Sequence, residues 1–101
     1  MRHIRISDAA ENDLVGIGDY TETRWGPLKC EEYLTSIVDC VEMLASNPHM
    51  GISRADIRKG LYSWLHGSHL IFYRFDDEVI EVGRILHSSM DVVLNLGADS
   101  L

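Results

Sequence analysis

The sequence predicts an α+β fold: an N-terminal strand, a helical hairpin, then a three-stranded antiparallel meander, arranged in two layers. Three observations carry this prediction. Two long stretches repeat apolar residues at helical spacing, Gly26-Pro27 separates them, and three later runs rich in β-branched and aromatic residues are divided by turn-length polar pairs. An amphipathic hairpin needs a surface to lie on, and a sheet supplies one.

The opening run Arg2-His3-Ile4-Arg5-Ile6 alternates apolar and polar residues, as a short strand does. Asp8 is the expected helix N-cap, with Glu11 three residues later completing a capping-box-like pair. Ala10, Leu14, Ile17 and Thr21 then share one helical face; Gly16 and Gly18 lie among them and suggest close packing. Proline is tolerated at the first helical position, so Gly26-Pro27 ends one helix and begins the next. There Cys30, Leu34, Ile37, Val41 and Leu44 form the second stripe, which stops at Asn47-Pro48. The meander is expected at 61–65, 69–75 and 79–86, with turns at Gly67-Ser68 and Asp76-Asp77. The middle run is apolar on both parities, as a central strand would be. The tail after Asp91 fits either a short helix or loose chain.

With 101 residues, 46% hydrophobic and 25% charged, the chain is expected to form one domain over 1–101. Its opening lacks the apolar region of a signal peptide and no run is long enough to span a membrane, so a cytoplasmic location is expected. Cys30 and Cys40 lie about 15 Å apart along one helix and cannot form an internal disulfide. The net charge of −7 disfavours direct nucleic-acid binding, which normally rests on a surplus of lysine and arginine. Residues 1–50 carry four basic and nine acidic side chains, against five and seven in residues 51–101, so any polyanion contact is expected in the second half.

Five strings, each weak alone, together resemble the ParE branch of the ParE/RelE toxin superfamily. They are Ile6 through Leu14, Tyr20-Thr21 with Trp25-Gly26-Pro27, Leu44 through Pro48 with Gly51, Ile71-Phe72-Tyr73-Arg74, and Arg84 through Asp91. They occur in order from Ile6 to Asp91. The resemblance implies a RelE/ParE-like two-layer fold, a cognate ParD-like antitoxin encoded alongside, and inhibition of DNA gyrase by binding, without cofactor or metal. RelE-like relatives cut messenger RNA on the ribosome, which requires an acid, a base and cations on the phosphate. Only Lys59 lies near the middle of this chain and no tyrosine follows Tyr73, so His87 with Arg84 is the one catalytic pair such an enzyme would have. A degenerate member retaining only antitoxin binding is a third reading.

The expected target-binding set is Arg54, Arg58, Arg74, Arg84, His87 and Asp91. Arg84 shares parity with Ile80 and Val82 at the margin of the packed face. It is either tied to a carboxylate or carbonyls at the sheet edge or free for a partner, and His87 either fixes a turn or functions. Arg54, Arg58 and Lys59 are either a solvated loop or part of a contact surface. His66 and His69 have metal-like spacing but no convincing third and fourth ligand, and Ser88-Ser89 lack the glycine elbow of a hydrolase. Trp25, Tyr33, Trp64 and Phe72 read as core. For the antitoxin, an apolar groove edged by Tyr20, Leu34 and Val38 is expected, since a flexible segment can lie in a groove or add a strand.

Overall fold

In the computed structural model, which describes residues 1–90 and 92–96, the hairpin lies across one face of a sheet, and a small second core covers part of the other. Among the described residues five strands, β1 (His3–Ile6), β2 (Ile52–Ser53), β3 (Tyr62–His66), β4 (His69–Phe75) and β5 (Val79–His87), form one sheet in the order β1-β5-β4-β3-β2. Strand β1 runs parallel to β5, and β5, β4 and β3 form the expected antiparallel meander. The two-residue strand β2 pairs with β3 and was not anticipated, because two residues carry no periodicity.

Helix α1 (Asp8–Trp25) is capped by Ser7, not by Asp8. Ser7 has extended backbone angles, and its Oγ accepts from Ala10 N at 3.0 Å while donating to the Gly83 carbonyl at 2.7 Å. The cap therefore also fastens the helix start to β5, which Asp8, exposed in the first turn, does not do. Asp8 and Glu11 remain at the positive end of the helix, where acidic groups are favoured. Gly26, with φ 89°, makes the corner that an L side chain would resist, and Pro27 opens α2 (Pro27–Ser46).

Both predicted stripes face the sheet. Ala10, Ile17, Ile37, Val41 and Leu44 pack against Ile71, Tyr73, Ile80, Val82 and Ile85, and each isoleucine, valine or leucine among them contributes about 1.5–3 kcal/mol on full burial. Cys30 and Cys40 are buried, unbridged thiols. At Gly18 the helices approach closely enough for Cys30 Sγ to donate to its carbonyl at 3.3 Å, whereas Gly16 faces open space. Central strand β4 is buried on both faces: Phe72 points away from the hairpin, into a cluster with Leu61, Leu86 and Leu96 of the short helix α3 (Val92–Leu96).

One irregularity redirects the chemistry. Tyr73 pairs with Val82 and Phe72 with Arg84, so Gly83 is an extra residue, a β-bulge. The bulge exchanges the parity of everything after it. Arg84 therefore does not share the face of Ile80 and Val82 as its spacing suggests; it stands opposite Phe72, and Ile85 takes the hairpin-facing place.

Candidate functional site

Strand β1 ends at Ile6, so among the described residues the outer edge of β5 beyond Val82 has no neighbouring strand, and side chains from α1 take its place. The Asp13 carboxylate accepts from Ile85 N at 2.9 Å and from Arg84 Nε and Nη2 at 2.8 and 3.0 Å. Arg84 Nη1 donates to the Asn95 carbonyl on α3. The two side chains are 18% and 14% exposed. A bidentate carboxylate this close holds the guanidinium proton above its already high ordinary value, against the opposing effect of burial. Arg84 thus joins α1, β5 and α3, the sheet-edge tie that was one of its two expected roles.

Three histidines lie in register across β3, β4 and β5: His66 pairs with His69, and His69 with His87. Their shared parity with Trp64, Ile71 and Ile85 turns them toward the hairpin. The Tyr33 hydroxyl of α2 is hydrogen-bonded to His69 Nδ1 at 2.6 Å, and Ser36 Oγ to His66 Nε2 at 2.9 Å. The rings of His69 and His87 meet edge to face, 5.4 Å between centroids. Burial first, then the neighbouring His87 and His66, lowers the His69 pKa below its ordinary value, and burial raises that of Tyr33. At His87, Ser89 N donates to Nδ1 at 3.1 Å, which in the neutral ring leaves the proton on Nε2. Among the described residues no group of three or more His, Cys, Asp or Glu side chains could hold a metal ion.

Beside this row a groove of about 830 Å³ opens between the outer half of α1, the start of α2 and the ends of β4 and β5. Tyr20, Arg24, Trp25 and Lys29 line it, together with Ile17, His69, His87 and Met90. Tyr20 is 62% exposed and Trp25 64%. Trp25 is therefore not core: it is the last residue of α1, where the chain turns away before its ring can be covered. Tyr33 and Trp64 are half-buried against the hairpin core, and Phe72 is buried.

The structure divides the expected target-binding residues. Arg54 pairs with Asp56 and lies 5.9 Å over the Phe72 ring, and Arg74 shares Glu81 with Arg5, both pairs at 3.1 Å, so these arginines occupy the face away from the hairpin. Arg58 is half-buried in the turn leading to β3. His87 opens instead on the groove, and Asp91 lies outside the described residues. Of the expected antitoxin contacts, Tyr20 is in the groove wall and Val38 is exposed on α2. Leu34 is half-buried in the helix-helix seam near Gly18. Arg24, Lys29 and Trp25 were missed as groove residues; one signal was present, since Arg24 and Lys29 are the basic residues of two otherwise acidic helices.

A helical hairpin laid on a five-stranded mixed sheet is a fold shared with chains of solved toxin–antitoxin complexes. A structure titled the chromosomal ParDE TA system from P. aeruginosa superposes with a TM-score of 0.73 at 22% identity, covering 86% of this chain and 96% of that one. The toxin–antitoxin complex RelBE2 from Mycobacterium tuberculosis gives 0.61 at 22% identity, covering 85% and 96%. The chain belongs to the ParE toxin family of the type II toxin–antitoxin system parDE, whose family model matches residues 4–92. It is 37% identical to Toxin ParE1 of Caulobacter vibrioides over 97 residues, 96% of this chain and 100% of that relative. Toxin ParE1 of Mycobacterium tuberculosis is 40% identical over 92 residues, 90% and 94% of the two chains.

Proposed function

We infer that this toxin acts by binding and not by catalysis: it seizes DNA gyrase in the cytoplasm and is neutralised by a ParD-like antitoxin, with residues 1–101 working as one domain. The observation that carries this is the Arg84–Asp13 pair. A ribonuclease built on His87 and Arg84 needs a cation free to meet a phosphate, whereas this guanidinium is committed to a carboxylate and a carbonyl. The acidic balance points the same way. Arg54 and Arg74 on the side away from the hairpin, with Arg58 in the turn before β3, are the preferred target contact, Tyr20 and Val38 the preferred antitoxin contact, with Leu34 supporting the helix seam beneath. Among the described residues no helix is long and apolar enough to cross a membrane.

The ribonuclease reading keeps the support of the groove itself, where the His69–His87 pair supplies an acid and a base without Arg84 and the cations Arg24 and Lys29 line the same cavity. Inducing the chain alone in cells separates the two readings: DNA-damage signalling ahead of messenger cleavage supports gyrase, and the reverse order supports the ribosome. Coexpression with the neighbouring reading frame tests the antitoxin. Exposed Val15, Tyr20, Trp25, Leu28 and Val38 predict a toxin that is poorly soluble alone and rescued by its partner. A soluble monomer indifferent to coexpression contradicts that expectation.

A further inference from the structure

The charge on the hairpin is segregated. Helices α1 and α2 carry nine acidic side chains and two basic ones, so the whole formal net charge of −7 resides there. Both basic side chains, Arg24 and Lys29, line the groove, and of the nine acidic ones only Asp13 does. Asp13 is already paired with Arg84. The charge left facing the groove is therefore basic, inside the most acidic part of the molecule.

Neither cation is firmly committed elsewhere. Lys29 makes an exposed pair with Glu32 at 3.5 Å, the kind that contributes little, and the Arg24 guanidinium lies 6.0 Å over the Trp25 ring. Tyr20 and Trp25 stand exposed beside them, and exposed aromatics next to arginine are the usual anchors of a protein interface. The cavity volume suits a few side chains of an inserted segment.

We propose that this groove takes an acidic peptide segment, with carboxylates on Arg24 and Lys29 and an apolar side chain between Tyr20 and Trp25. Its occupant is a segment of the antitoxin, which rests on the toxin–antitoxin reading; the chemistry of the groove does not. Bulk electrostatics makes the opposite forecast, because a protein at −7 attracts basic peptides and repels acidic ones.

That opposition makes the test sharp. Fluorescein-labelled twelve-residue peptides of glutamate and leucine, and the same peptides with glutamine or lysine in place of glutamate, are titrated against the full chain by anisotropy, alongside a labelled oligouridylate. The glutamate peptide is expected to bind about tenfold more tightly than the glutamine one, to weaken with salt and to change Trp25 emission. Arg24→Glu/Lys29→Glu should abolish the preference, while Lys59→Glu, outside the groove, should leave it. Equal binding of the glutamine peptide, an unchanged preference in the double variant, or displacement of the glutamate peptide by the oligonucleotide overturns the proposal. A coexpressed antitoxin whose affinity ignores Arg24→Glu/Lys29→Glu overturns it and leaves the toxin–antitoxin reading standing; a chain that binds no antitoxin at all overturns both.

Discussion

Replacing Asp13 by alanine removes three hydrogen bonds at once, two of them to a guanidinium, and strands Arg84 at the β5 edge. Hydrogen bonds to charged groups contribute about 1.5–3 kcal/mol each, and breaking a buried pair costs about 3–5 kcal/mol. With 18% and 14% of the side chains still exposed, water recovers part of this, so about 3 kcal/mol is expected. Asp13→Asn keeps an acceptor for Ile85 N and should cost about half as much. In urea at neutral pH the alanine variant should shift the midpoint by roughly 1–3 M, for a slope typical of a small protein. A double-mutant cycle with Arg84→Ala should show coupling of about 2 kcal/mol. Strict additivity of the two changes, or an Asp13→Ala variant within about 0.5 kcal/mol of the parent, would return Arg84 to the pool of free partner-binding cations.

Other perturbations test other joints. The folded-state pKa of His69 lies below its ordinary value near 6.5, so the unfolded chain takes up more protons there; stability from the neutral ring is complete above pH 6.5 and lost as pH falls below it. His66, His87, Tyr33 and Asp13 face this ring, the two histidines adding to the loss and Asp13 opposing it, and melts from pH 8 to 5 should show a shallower fall for His69→Gln. A Cβ at Gly51 would collide with the Tyr73 hydroxyl and crowd the Ser63 carbonyl, so Gly51→Ala should cost about 1–3 kcal/mol in chemical denaturation. Ser7→Ala removes the α1 cap and the bond to Gly83, and should lower stability by about 1–2 kcal/mol in the same assay.

The fold was legible wherever a pattern had enough residues to repeat. The stripes through Ala10 and Ile37, the Gly26-Pro27 corner and the doubly apolar β4 all stand where their spacing placed them. Strand β2 has two residues, too few for a period, and Ser7 prevailed over Asp8 because a cap is chosen by backbone geometry and by a contact with Gly83, 76 residues away. The site was harder to read for the same reason. The Gly83 bulge reversed the parity from which Arg84 was placed, and its partner Asp13 lies 71 positions distant. The histidine row was visible only as His66 and His69 until strand register brought in His87. Composition gave the net charge, but its segregation around a groove required the hairpin to be folded.

Supercoiling of relaxed plasmid by purified gyrase, with the full chain added, reads out the proposed inhibition by binding. Inhibition is expected, relieved by the coexpressed antitoxin and altered in His87→Ala by no more than a contact worth on the order of 1 kcal/mol. Untouched supercoiling, together with cleavage of ribosome-bound messenger that His87→Ala slows by roughly 10²- to 10⁴-fold, would contradict it.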